Sequence, residues 1–267
     1  MKLVKLHAKP KLNTPNLLAA WPGISNVAII AASYLVKKLE FKLLAEVDAP
    51  YFFDPIGVLV KNNLVESPQF PQSRFYYWKN EAGKKDIVLF IGEDQPGGKS
   101  YELANLILDL GQKFQARRVY TFAAALTRIH HSEKPRVWAA ATNQQLSDEL
   151  GTRDLVMGGN LQISGLNGLL LGVAKERNMD GVCLLGEVPS YASRIANPTA
   201  ALAVVNSFAR IEDIKVDVAE LEEQSVEARQ RMSQVAAEAM GEYIDYFTEP
   251  IWESGENGED EEDEDER

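Results

Sequence analysis

The chain has 267 residues, one cysteine and a formal net charge of −11, enough length to bury a sizeable core without covalent staples. The single Cys183 forms no intramolecular disulfide, and no window approaches the roughly 18 uninterrupted apolar residues of a membrane span, so a cytoplasmic protein is expected. Most of the charge lies in the last fifteen residues; without them 27 basic and 29 acidic residues leave a net of −2, which supplies no basic surface for nucleic acid.

The N-terminal MKLVKLHAKPKLN lacks a continuous apolar signal core. NLLAAWPG, residues 16–23, reads as an apolar strand ended by Pro-Gly, and SNVAIIAASYLVKKLE, 25–40, as a helix capped by Ser25 or Asn26. LLAEVD and RFYYWKN have strand composition, with the Pro- and Asn-rich NNLVESPQFPQS between them as a loop. DIVLFIG and SYELANLILDLGQKF repeat the strand-then-helix pattern. Leu103, Leu106, Ile107 and Leu110 form an apolar stripe on that helix, and Gly111 is expected to weaken its end.

The loop between them, GEDQPGGKS, contains a Gly-Lys-Ser that raises the question of a phosphate-binding loop. A Walker loop needs Gly, four residues, then Gly-Lys-Ser/Thr, which would put its first glycine at position 93; Glu93 stands there instead, beside Gly92 and Asp94. A one-residue slip breaks the run of consecutive N–H groups around the anion, and two carboxylates would lie where phosphates belong. The stretch therefore reads as a strand-to-helix loop of a parallel sheet.

RRVYTFAAAL and PRVWAAAT are further strands and NQQLSDEL a short helix. Between the two strands, His130 and His131 have only Glu133 nearby; with His7 the one other histidine, no closed metal site is expected. NGLLLGVAKERN, DGVCLLGE and NPTAALAVVNSFARI complete a helix-strand-helix series. Apolar strands alternating with amphipathic helices imply a largely parallel sheet covered on both faces, and Cys183, inside GVCLLG, reads as core packing. Gly165 and Gly168 flank Leu166-Asn167 at a turn that opens a helix, whose free N–H groups would suit an anion or carbonyl. LLGEVPSY places Gly186, Glu187 and Pro189 just after a strand, where ligands of parallel α/β sheets collect. The candidate ligand-binding set is Gly92, Glu93, Gly165, Asn167, Gly168 and Glu187, drawn together at the sheet top; the competing reading is that these glycines serve tight packing. No catalytic residue, metal or cofactor is assigned.

After residue 213 the character changes. VDVAELEEQSVEARQRMSQVAAEAMGEYIDYF holds one glycine and no proline over about nine helical turns. Val218, Leu221, Ser225, Ala228, Met232, Val235, Ala239, Tyr243 and Phe247 make one apolar stripe, which packs either on its own domain or on another copy. The expected division is an α/β/α domain over 1–213, a helical extension over 214–252 and an acidic, disordered tail over 253–267, ESGENGEDEEDEDER, with ten acids and one arginine.

In order along residues 16–210, the blocks AAWPGISNVAIIAASYLVKKL, YFFDP, FYYW, IVLFIGEDQP with SYELANLIL, RVYTFAAALT, RVWAAATNQQL and ISGLNGLLLGVAKERNMDGVCLLGEVPSY with NPTAALAVV resemble the proteasome assembly chaperone family, its prokaryotic branch included. The resemblance implies a three-layer α/β/α sandwich of the nucleoside phosphorylase type. It also implies a non-enzymatic, homo-oligomeric chaperone-like protein, a trimer or larger, that binds proteins such as proteasome α-subunits. Prokaryotic relatives also carry an ATP-grasp carboligase label, for which this sequence offers neither a nucleotide loop nor a metal-binding acidic cluster. Docking members of the family end in a hydrophobic residue, Tyr and one further residue; this sequence reads Asp265-Glu266-Arg267 there, so that mode of docking is not expected. The alternative function is a small-molecule binder or enzyme, of the nucleoside phosphorylase or ATP-dependent ligase type, using the loops at the sheet top.

Overall fold

Strands and helices alternate along the chain because apolar runs of five or six residues are separated by longer segments of helical period. In a computed structural model, which describes residues 3–55, 57–82 and 84–248, they build one eight-stranded mixed sheet between helical layers. The strands are β1 (Val4–Leu6), β2 (Asn16–Ala20), β3 (Lys42–Val47), β6 (Ser73–Trp78), β7 (Ile87–Gly92), β8 (Arg118–Thr127), β9 (Val137–Ala141) and β10 (Asp180–Pro189). A separate hairpin pairs β4 (Val60–Lys61) with β5 (Leu64–Val65). The helices are α1 (Val27–Lys38), α2 (Ala49–Phe52), α3 (Ser100–Lys113), α4 (Gln144–Gly151), α5 (Leu166–Glu176), α6 (Pro198–Glu212) and α7 (Ala219–Thr248).

The strand order is β1-β3-β6-β7-β2-β8-β10-β9. Only β7, β2, β8 and β10 are mutually parallel; β3 and β6 pair antiparallel with each other and with their flanking strands, and β9 runs against β10. The largely parallel sheet expected from the alternation is thus confined to the centre. The reason lies in the connections: β6 to β7 and β8 to β9 are joined by loops without a helix, and a parallel pair needs a crossover of a dozen or more residues.

Burial follows the period of two in β2. Leu18 and Ala20 face Val27, Ala31 and Leu35 of α1 and Val204 and Phe208 of α6, whereas Leu17, Ala19 and Trp21 face Leu103 and Ile107 of α3 and Leu166 and Leu170 of α5. Each face is therefore closed by its own pair of helices. The stripe on α7 turns back onto its own chain, with Leu221, Ser225, Ala228 and Met232 buried and the Ser225 hydroxyl donating to Thr199 Oγ1 at 2.9 Å. The side chains of Val235, Ala239, Tyr243 and Phe247, and the tail over 253–267, lie outside those described.

Local expectations are adjusted in five places. Ser25 and Asn26 both adopt left-handed φ in a 3₁₀ turn before α1, and neither caps the helix with its side chain; Ser25 Oγ instead donates to the carbonyls of Ala192 and Ser193. Helix α3 continues past Gly111, which lies against Leu17, to Lys113. Strand β10 runs on through Gly186, Glu187 and Pro189, because β8 holds it throughout and β9 as far as Gly186. The loop after β3 contains the β4–β5 hairpin, and β1 is a strand within the lysine-interrupted N-terminal segment. Among the described residues no helix is long and apolar enough to cross a membrane.

Candidate functional site

All four parallel strands end on the same side of the sheet, but not at the same height. The β2–β8 ladder stops at Ala19 and Thr121, and β2 itself ends at Ala20, whereas β8 continues beside β10 to Thr127. A crevice opens beside the unmatched part of β8, the position where ligands of open α/β sheets collect. Its volume is about 270 Å³. Gly23, Ile24 and Ala28, from the turn and helix after β2, and Ala123 and Ala124 of β8 form the small-residue walls; residues 162–165 and Asn167 close it from the α5 side. Among the described residues, no ionisable side chain lines it.

Gln95, in the β7–α3 loop, fastens these pieces together. Its Nε2 donates to the Pro22 carbonyl at 2.8 Å, and its Oε1 accepts the Leu166 N–H at 2.8 Å, satisfying one of the free N–H groups at the start of α5. Gly165 precedes the helix with φ of +71°, and a Cβ there would lie 2.4 Å from Gln95 Oε1. Gly168, one turn position later, is crossed so closely by the loop before it that a Cβ would lie 1.9 Å from the Ile163 carbonyl oxygen.

Asn167 lines this cleft together with the polar side chains Gln95, Gln162 and Ser164. The Asn167 side chain is only 4% exposed, Oδ1 is buried with no hydrogen-bond partner among the described residues, and the Nδ2 end faces Gly23. Its backbone N–H, second in the helix, also receives no partner among those residues.

Of the six residues singled out in the sequence, the structure brings Gly165 and Asn167 into the cleft and sets Gly168 beneath the loop that walls it. The other three do not converge there. Gly92 ends β7 against the Trp21 indole, whose Nε1 is buried without a partner among the described residues. Glu93 is exposed and tied to Gln72, accepting its N–H at 2.8 Å and donating its own N–H to the Gln72 carbonyl. Glu187 turns toward β9, where it accepts from the Arg136 guanidinium at 2.9 Å, the Arg136 N–H at 2.9 Å and Trp138 Nε1 at 3.0 Å. Burial works against the Glu187 carboxylate, yet these hydrogen bonds outweigh it and hold its pKa below the ordinary value. It is a satisfied structural carboxylate.

The Gly-Lys-Ser of the same loop is committed elsewhere. Lys99 Nζ donates to the Tyr51 carbonyl at 2.7 Å and lies 3.9 Å from the centre of the Tyr51 ring, and Ser100 Oγ donates to the Pro96 carbonyl. The His130 and His131 rings sit 4.0 Å apart, with His131 Nδ1 bonded to the Tyr191 hydroxyl at 2.8 Å; among the described residues no group of three His, Cys, Asp or Glu side chains is placed to hold a metal. Cys183 is fully buried, which pushes its thiol up to about 12. Gln95, Gly23, Ala123 and Ala124 were not singled out in the sequence. Each lies in a segment the sequence marks as strand or loop, but nothing local sets it apart as a cleft residue.

A sequence profile of the PAC2 family matches residues 17–236. The uncharacterized protein MJ1210 of Methanocaldococcus jannaschii is 31% identical over 216 residues, 78% of each chain. Among solved structures the chain is similar to Pyrococcus furiosus PbaB, an archaeal proteasome activator, at 29% identity and a TM-score of 0.73, covering 87% of this chain and 98% of that one. It is similar also to PbaA of the same organism, an archaeal homolog of proteasome-assembly chaperone, at 25% identity and a TM-score of 0.66, covering 89% and 99%.

Proposed function

Since this chain belongs to the PAC2 family, we propose that it is a non-enzymatic, chaperone-like protein that assembles with copies of itself and binds protein partners. The similarity to a proteasome activator and to a homolog of proteasome-assembly chaperone supports the chaperone-like role. The observation on this chain that carries the reading is the β4–β5 hairpin. Val58, Leu59, Val60, Leu64 and Val65 are all about half or more exposed, Leu64 at 72% and Val65 at 71%, on a hairpin that stands apart from the main sheet. Five large apolar side chains within eight residues exceed the scattered apolar surface of a monomer, and such patches mark contact sites between proteins.

Native mass spectrometry of the full chain, alone and with Leu64→Lys and Val65→Lys combined, tests this. The expected result is a closed assembly of identical subunits that the double variant reduces to monomers with unchanged circular dichroism. A monomeric wild type at micromolar concentration, or an assembly indifferent to both lysines, overturns the reading.

A further inference from the structure

We propose that the cleft beside β8 binds a small, uncharged ligand through a carbonyl oxygen, received by the Asn167 Nδ2 group. Three observations converge on that chemistry.

First, Asn167 is buried and no side-chain hydrogen bond holds its amide among the described residues, although buried side-chain amides are as a rule hydrogen-bonded; Oδ1 is sealed from solvent, and Nδ2 is the end that meets the cleft beside Gly23. A carboxamide nitrogen carries two donors and no acceptor, and the group that satisfies it is a carbonyl oxygen. The Asn167 backbone N–H at the start of α5 adds a second donor for the ligand's carbonyl oxygen.

Second, among the described residues no Asp, Glu, His, Lys or Arg lines the cleft. A charged ligand would be desolvated there without a counter-ion, which is strongly unfavourable. The first N–H of α5, that of Leu166, is met by a neutral carboxamide oxygen, that of Gln95.

Third, the space is built into the fold. It is walled by glycine and alanine at Gly23, Ala28, Ala123 and Ala124, and its volume of about 270 Å³ suits a single-ring metabolite. This inference stands apart from the protein-binding role, since the hairpin takes no part in it.

Benzamide and 2-pyridone carry an uncharged carbonyl oxygen, and benzoate has the shape of benzamide with a charge. Isothermal titration and ligand-observed NMR on the full chain are expected to show saturable binding of benzamide or 2-pyridone at one site per chain. Benzoate should bind at least tenfold more weakly, and the side-chain ¹⁵N signal of Asn167 should shift on titration. Asn167→Leu is expected to weaken binding at least tenfold, and Ala124→Leu, which fills the cleft and leaves Asn167 in place, to abolish it. Absence of saturable binding by both amides, benzoate binding as tightly as benzamide, or an Asn167 signal unmoved at saturation overturns the proposal. The wild-type titration and Ala124→Leu keep the test decisive even where Asn167→Leu does not fold.

Discussion

Replacing Gly168 by alanine measures how firmly the loop before α5 is held against that helix. In an open helical position, Gly→Ala stabilises by about 1 kcal/mol, because alanine loses less backbone freedom on folding. Gly172, on the same helix, is such a position: it is exposed and has nothing within 4 Å of an added Cβ. At Gly168 the added Cβ would lie 1.9 Å from the Ile163 carbonyl oxygen and 3.0 Å from Ile163 Cβ. Real contacts of this kind begin near 3.0 Å, so the backbone of the loop must retreat by about 1 Å, and overpacking of that order costs about 1–3 kcal/mol or more. Gly172→Ala should therefore gain about 1 kcal/mol and Gly168→Ala lose about 2 kcal/mol, a gap near 3 kcal/mol between chemically identical changes one helical turn apart. Urea unfolding followed by circular dichroism, with equal slopes for the two variants, gives the gap directly. A gap under about 1 kcal/mol would refute the reasoning, because the loop that walls the cleft would then yield freely.

Glu187→Gln keeps the side chain's shape but turns one of its accepting positions into a donor facing Arg136 or Trp138, and should cost about 2 kcal/mol at neutral pH in the same assay. Because the folded-state pKa of Glu187 lies below its unfolded value, the carboxylate's contribution is complete above the unfolded value and disappears as pH falls through the folded one. The difference between wild type and variant should accordingly close in acid, and a difference constant with pH would show that the charge is not what stabilises. Met232→Ala, at a side chain 3% exposed between α7 and the body of the domain, should cost about 2 kcal/mol or more. A loss under about 0.5 kcal/mol would mean that this part of α7 does not bear on the fold.

The parts of the fold that were legible in the sequence are those set by local period. NLLAA and IVLFIG are apolar on consecutive positions and lie in the doubly covered centre, as parallel strands do. The stripe through Leu221, Ala228 and Met232 announced a helix with a buried side, but a periodic stripe does not name what buries it, and here its own domain does. Strand direction was less legible: loop length argues against a parallel β8–β9 pair, yet the pairing of β9 with β10 joins segments far apart in the chain. That pairing is also what brings Arg136 and Trp138 to Glu187 and removes it from the cleft. Gly165 and Asn167 were legible because a positive φ before a helix start leaves a local mark. Gln95 left none, since what makes it important is the convergence of Pro22 and Leu166, residues 73 and 71 positions away. The blocks that resembled a family of chaperones drew on the ordered succession of these segments, which the PAC2 match spans nearly whole.

The margins of the sheet bear on how copies of the chain would meet in the proposed assembly. At one side β1 offers three residues, with Lys5 exposed at their centre; at the other, the outer edge of β9 is already occupied by Val156, which exchanges hydrogen bonds with Val137 and Ala139 at 2.8 and 3.0 Å. Neither border is a template on which a foreign strand could lengthen the ladder, and short or obstructed borders of this kind are how β-containing proteins resist polymerising edge to edge. The proposed association would then fall to side chains, which, unlike an open ladder, set a definite orientation and allow an assembly to close.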